Sequence, residues 1–379
     1  MTPASSSRIV LFGATGFTGQ IVARALFARG VRPVLAGRNR GALEALAAEL
    51  DTEFALADSG DPMSVAALVE SGDVLVSTVG PFVKHGAAAV QAAAATGAHY
   101  LDSTGEGPFI REVFEEYGPV AARSGAGLLT AFGYDYVPGN LACALALREA
   151  GEQAVRVDCG YFLTGAGGGR DLPTRFGLPS AGTVSTLLGM MTAPGYGYRA
   201  TRLVTERPAR TVKTFQVDGR RLSGVSIGAV EQFALPRSFP RLREVNVYLG
   251  WFDPFSRFLQ ASSFALNGPR RRRTATAAVE RVAPRLLTGR PAGPCQHTRD
   301  SMRALIIATA FDAEGRELHQ VVLRGPEPYV LTGDLLAWGA VRAAAGNLRG
   351  AGALGPVQAF GLDELTTACA AAGLKEAGR

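Results

Sequence analysis

Residues 8–26, RIVLFGATGFTGQIVARAL, pass from an apolar strand through three glycines at three-residue spacing into a segment with helical periodicity. A backbone that turns sharply and admits a pyrophosphate to a helix N-terminus needs residues without Cβ, which Gly13, Gly16 and Gly19 supply. Thr15, Phe17 and Thr18 complete the loop. Glycine-rich turns also serve as plain corners, so the spacing alone is moderately specific. Its place, after the first strand and before the first helix, adds most of the specificity.

The first third of the chain then alternates: PVLAG, EFALAD, VLVSTVG, HYLDST and GLLTAFG read as strands, with helical segments over 40–50, 62–70, 86–96 and 108–124 between them. Six short apolar strands separated by helices require crossover connections, hence a parallel, doubly wound α/β sheet of the Rossmann type. After about residue 150 the segments lengthen into VRVDCGYFL, LREVNVYLG, MRALIIATAFD and LHQVVLRG, which predicts a second, α+β domain. The expected limits are 1–145 for the nucleotide domain, 146–330 for a substrate or oligomerisation domain, and 331–379 for C-terminal helices packed back near the first domain. There is no internal repeat.

The second strand ends in Gly37-Arg38-Asn39, where an NAD enzyme would place a ribose-binding acid. An acid there repels a 2′-phosphate, whereas Arg38 can pair with one bidentately, so the predicted cofactor is NADP(H). Asn39 joins the cofactor-binding set. Asp58, after the third strand, is placed either to meet the adenine edge or to close an exposed turn. STVGPF, with Thr78, Gly80 and Pro81, should pass under the nicotinamide.

The net charge of +6 comes from 39 basic and 33 acidic residues, with only three lysines. The densest basic run, Arg270–Arg273, follows Gly268-Pro269 without interleaved aromatics and reads as a solvated loop or helix start, so no nucleic-acid partner is expected. Four scattered cysteines without C-x-x-C spacing predict neither a disulfide framework nor a metal site, and read as reduced cytoplasmic thiols. MTPASSS lacks a basic, then apolar, leader pattern. The uncharged stretch 176–198 contains two prolines and five glycines around LLGMM, so no integral membrane segment is expected.

A short-chain dehydrogenase would need a Tyr-x-x-x-Lys pair, which is absent. The segments beyond the fourth strand, GPFVKHGAAAVQAAAATGAHYLDSTGE and then GYDYVPGNLA, give the chain a different likeness: it resembles the saccharopine dehydrogenase-like oxidoreductases, most closely their trans-acting enoyl reductase branch. With GATGFTG and LAGRN the resemblance spans the first 145 residues; LTGDLLAWGA and GALGPVQAFGLD extend it at the C-terminus.

The resemblance implies an NADP-binding domain, a second domain over the nicotinamide, and reduction of an unsaturated centre. Such a reaction calls for a proton source. The candidates are Lys84 and His85 at a helix start, Tyr100, Asp102 and Glu106 after the fifth strand, and Tyr134, Asp135 and Tyr136 after the sixth. Of these, Tyr134, Asp135, His85 and Lys84 form the catalytic set. Asp135 also suits a helix cap before Pro138, His85 can cap the alanine-rich helix, and the solvent can supply the proton. The expected partner is a small-molecule or carrier-bound hydrophobic acyl substrate, with homodimer formation left open. An imine or saccharopine-type substrate and a non-catalytic nucleotide-binding scaffold are the alternatives. In WFDPFSRFLQASSFAL, the spacing of Phe255, Phe258, Leu259 and Ser262 predicts a core-facing helical stripe rather than a substrate tunnel.

Overall fold

A computed structural model of the chain describes residues 7–165, 193–251, 255–265 and 293–377, which divide into two units. Unit 1 comprises Met1–Thr104, Phe109–Val137 and Tyr329–Ala368. Its strands are β1 (Ile9–Phe12), β2 (Val34–Gly37), β3 (Phe54–Leu56), β4 (Val74–Ser77), β5 (His99–Asp102) and β6 (Gly127–Leu129). They lie in the order β6-β5-β4-β1-β2-β3, all parallel, and a seventh strand, Gly352–Ala353, pairs with β6. This is the doubly wound α/β sheet expected from the alternation.

All four residues of both β1 and β4 are buried, as parallel strands covered by crossover helices must be. Each such Val, Leu or Phe side chain contributes about 1.5–3 kcal/mol of burial. Helix α1 (Phe17–Phe27) buries Gly19, Val22, Ala23 and Leu26, a stripe at helical spacing. Helix α2 (Arg40–Leu50) starts where the Asn39 side chain accepts the Ala42 N–H at 3.2 Å and ends at Asp51 in the left-handed region. The predicted helix over 108–124 is built as Gly107–Glu112, a π-helical turn Val113–Tyr117, and Gly118–Ser124.

The seventh strand was not expected, because two residues carry no periodicity. Gly352 adopts φ +90°, and helix Pro328–Ala344 precedes it within the same unit. Gly333 in that helix lets it approach α1: a Cβ there would stand 2.6 Å from Ile21.

Unit 2 comprises Gly105–Pro108, Pro138–Pro328 and Cys369–Arg379. Its mixed sheet runs Val212–Val217, Arg220–Ile227, Glu244–Leu249, Arg156–Gly165, Met302–Phe311, Glu317–Gly325, Lys375–Glu376, so all four long segments read as strands are strands. The central strand places Tyr161, fully buried, with its hydroxyl donating to Glu231 Oε1. Gly139 faces this pair, and a Cβ there would overlap the Tyr161 oxygen at 1.9 Å. The glycine of the VPGN motif is therefore a packing requirement.

One expectation fails. Helix Ser256–Ala265 buries Ser256 and Ser263, while Phe255 is 62% and Phe258 69% exposed, so the aromatic stripe faces outward. The spacing set one face of the helix but could not say which face packs. LLGMM and Arg270–Arg273 lie outside the described residues. Among the described residues no helix is long and apolar enough to cross a membrane.

Candidate functional site

In the strand order of unit 1, β1 and β4 are neighbours although the chain visits β2 and β3 between them. Connections therefore leave in opposite directions at this point, opening a crevice at the carboxyl ends where ligands bind in open α/β sheets. The glycine loop follows β1, Arg38 follows β2, Asp58 follows β3, Thr78–Pro81 follow β4, Asp102 ends β5 and Asp135 follows β6. One side of the crevice thus carries Arg38 and Asp58, the other Asp102 and Asp135.

The loop is tight. Gly13 has φ +88°, and a Cβ on it would stand 2.8 Å from the Thr78 hydroxyl oxygen. A Cβ on Gly19 would overlap the Gly13 carbonyl at 2.1 Å, while one on Gly16 would meet it at 3.2 Å. Helix α1 begins with Gly16 in an extended conformation, no side-chain cap and no acid in its first turn. An uncapped N-terminus with a glycine approach is a cradle for phosphate, and these residues fit a dinucleotide. Thr15 contributes its carbonyl to Gln20 Nε2 at 3.1 Å, and the Phe17 ring meets Tyr329 edge-on at 5.0 Å. The Thr78 hydroxyl donates to the Gly13 carbonyl at 3.1 Å, tying β4 to the loop.

Arg38 is exposed and forms no ion pair or hydrogen bond with any described residue, so its guanidinium is available to an incoming phosphate. Asn39, by contrast, spends its side-chain oxygen on the α2 cap. The Asp58 Oδ1 accepts the Gly60 N–H at 2.8 Å, closing the exposed turn that was the second reading of this residue.

The four catalytic candidates separate. Lys84 and His85 lie exposed on the helical turn Phe82–His85, and the His85 Nδ1 is 3.3 Å from the Ser59 hydroxyl in the loop after β3. Tyr134 and Asp135 lie after β6. Tyr134 is buried, with its N–H donating to the Thr332 hydroxyl at 3.0 Å. Asp135 is half-buried; its carboxyl has no hydrogen-bond or ionic partner among the described residues, and burial lifts its pKa to about 7. Glu106 is buried in unit 2, and Tyr136 and Tyr100 are buried as well.

Two residues that matter here were undervalued or missed in the sequence. Asp102, fully buried, accepts the N–H groups of Thr104 at 2.9 Å and Ala131 at 2.8 Å through one carboxylate oxygen. Burial raises its pKa to about 6 against the opposing effect of those N–H donors. Thr332 lies 198 residues from Tyr134; its only signal was the LTGD motif in which it stands.

Residues 9–127 match the protein family described as saccharopine dehydrogenase NADP binding domain. The chain is 33% identical over 214 residues to trans-acting enoyl reductases of Mycobacterium bovis and Mycobacterium tuberculosis, covering 54% of this chain and 50% of theirs. A Mycobacterium leprae relative of the same name is 38% identical over 140 residues, covering 35% of this chain and 34% of the relative. The chain thus spans about half the length, or less, of the curated relatives it matches. Among solved structures, apo saccharopine dehydrogenase (L-Glu forming) from Saccharomyces cerevisiae shares the fold, with TM-score 0.59 at 16% identity over 98% of this chain and 99% of that one.

Proposed function

We propose, from the match of residues 9–127 to the saccharopine dehydrogenase NADP binding domain, that the chain reduces the carbon–carbon double bond of a hydrophobic enoyl or enone substrate, with Asp135 as proton donor. NADPH, when bound, supplies the hydride. The similarity to trans-acting enoyl reductases supports an enoyl substrate class, and presentation of the acyl group on a carrier is part of the proposal.

The observation that carries the reading is the Asp135 carboxyl. It stands on the β4–β5–β6 side of the crevice, away from Arg38, without a partner among the described residues. Strands lie about 4.8 Å apart, so β6 is roughly 14 Å across the sheet from β1, within the span of an extended dinucleotide. Hydride arrival at the β-carbon of an enoyl group leaves negative charge on the α-carbon and carbonyl oxygen. A carboxyl with pKa about 7 is half-protonated at neutral pH and can quench that charge at the α-carbon. An aspartate at its ordinary 3.8 would be ionised and unable to donate. His85 sits instead beside the loop after β3, where its Nδ1 meets the Ser59 hydroxyl.

The test is NADPH oxidation measured with a panel of enoyl thioesters, a panel of imino acids and no acceptor. Turnover confined to the thioesters supports the proposal. Turnover confined to imino acids assigns a C–N oxidoreductase instead, and binding without consumption in all arms assigns a scaffold.

A further inference from the structure

The turn that carries Asp135 is an unusual piece of backbone. It starts at Ala131, a non-glycine residue with φ +56°, a left-handed conformation that side chains rarely adopt without support. Support is present on one side: Asp102 Oδ1 accepts the Ala131 N–H at 2.8 Å, and the Asp102 carbonyl accepts the Phe132 N–H at 2.8 Å. Asp102 therefore grips two successive amides at the entrance to the turn. Beyond them the turn closes on itself, with the Tyr136 N–H donating to the Ala131 carbonyl at 2.7 Å and the Gly133 N–H to the Asp135 carbonyl. Thr332 holds the middle through the Tyr134 N–H, and its methyl group leaves no room for a Cβ on Gly133.

The grip is not cheap to maintain. Asp102 is fully buried, and its second oxygen, the Tyr100 hydroxyl and the Thr130 hydroxyl all lack a hydrogen bond that meets normal geometry. The β4–β5 and β5–β6 registers set Ser77 and Thr130 on either side of Asp102, with Tyr100 two residues behind it on the same face. Both Tyr100 and Thr130 lie near enough to favour the Asp102 charge, and Ser77 and Tyr117 in turn act on Tyr100. Among the described residues no cation belongs to this group. A buried carboxylate without an ion partner is retained at a cost, and what it gains in this position is the placement of two N–H groups.

We propose that Asp102 is the positioning residue of the site: its carboxylate holds Ala131 in the left-handed conformation and thereby keeps the Asp135 carboxyl in its half-buried setting. The catalytic meaning of this rests on Asp135 as proton donor; the positioning itself does not. In Asp102→Ala the Ala131 N–H loses its side-chain acceptor while the backbone bond to Phe132 remains, so Ala131 relaxes and water reaches Asp135 more freely. In Asp102→Asn the amide oxygen still accepts the Ala131 and Thr104 N–H groups, while its NH₂ can donate to the Tyr100 and Thr130 oxygens.

The experiment is a pH titration of the Asp135 side-chain carbon by NMR in the full chain, run beside turnover and NADPH affinity. In the parent and in Asp102→Asn the carboxyl titrates near pH 7, and in Asp102→Ala it moves toward the ordinary 3.8. Turnover falls about 100-fold in Asp102→Ala with NADPH affinity unchanged, and stays within about threefold in Asp102→Asn, as expected for misplacement of a reacting group. If Asp102→Ala does not fold, adding Ala131→Gly supplies a residue that takes positive φ without the anchor, and the titration is read on that folded double variant. A folded Asp102→Ala that still titrates near 7 and turns over normally overturns the proposal. A shifted titration with unimpaired turnover in Asp135→Asn keeps Asp102 as the anchor and removes Asp135 as the donor, so the two claims fail separately.

Discussion

The glycine loop after β1 and the Ala131–Tyr136 turn after β6 lie at carboxyl ends of the same sheet and solve opposite problems. The loop makes room: side chains are absent at Gly13, Gly16 and Gly19, the helix behind is uncapped, and nearby Arg38 is exposed without a partner among the described residues. The turn takes room away. Its non-glycine left-handed residue is held by a buried carboxylate, a threonine far along the chain fills its flank, and Asp135 is lifted to about 7 by burial. A phosphate that binds to many sequence-local backbone groups needs space and positive potential. A proton donor that is neutral at pH 7 needs a setting that disfavours its charge, and the turn that carries this one is held by residues remote in sequence.

The sharpest way to break this comparison is Asp135→Asn. Loss of a general acid costs about 10²- to 10⁴-fold in turnover, with cofactor affinity nearly unchanged. In the parent, turnover should fall as pH rises through about 7, because only the protonated carboxyl donates. The Asp135 carboxyl accepts no helix N–H among the described residues, so the expected cap role is not met, and an Asp135→Asn enzyme at full speed would remove this residue from the reaction. Stopped-flow turnover with an accepted thioester, across a pH range that brackets 7, decides it.

On the opposite side, Arg38→Asp should lower the ratio of NADPH to NADH affinity by about 10- to 100-fold, the equivalent of about 1.5–3 kcal/mol for a charge-assisted pair. Fluorescence titration with both nucleotides measures this. An unchanged ratio would mean that the exposed guanidinium faces solvent in the complex too.

Much of the loop side was legible because its signals are local. The alternation of strands and helices, the glycine spacing and an arginine where an acid would stand carry their meaning through nearby backbone chemistry. The turn side was legible only in outline. GYDYVPGN pointed to Asp135, but nothing in it reveals that Asp102, 29 residues before Ala131, holds that residue, or that Thr332 holds Tyr134. HYLDST offered Asp102 as one more acid after a strand, and its role as an anchor emerges only once β5 and β6 are paired. The same limit explains the outward phenylalanines of helix Ser256–Ala265 and the two-residue strand Gly352–Ala353.

The turn side also carries a pH-linked stability cost that the loop side lacks. The folded pKa of Asp102, about 6, lies above its ordinary 3.8, so the folded state binds more protons than the unfolded state between those values. Stability contributed by the neutral form is present below about pH 4 and is lost as pH rises through about 6. Asp102→Asn imitates the neutral form, and at pH 7 it should raise stability by about 1–3 kcal/mol while flattening the decline between about pH 4 and 6. Urea denaturation at several pH values gives the slope. A variant less stable than the parent at pH 7 would show that the ionised carboxylate, rather than the shape of its oxygens, stabilises the fold.

The smallest effect sharpens the boundary of the loop side itself. Asn39 stands next to Arg38 and by sequence belongs with the cofactor, yet its side-chain oxygen accepts the Ala42 N–H and caps α2. A cap of this kind is worth about 1 kcal/mol, and Asp or Ser replaces it at little cost. Asn39→Ala should therefore lose about 1 kcal/mol of stability, and Asn39→Ser almost none. Both should leave the preference for NADPH intact, since Arg38 rather than Asn39 carries the charge open to a phosphate. Thermal unfolding with and without NADPH separates the two roles: a cap lowers both midpoints equally. If Asn39→Ala left the free protein unchanged and lost only the gain conferred by NADPH, Asn39 would turn from the helix toward the phosphate on binding, and the loop side would extend one residue further than its exposed guanidinium.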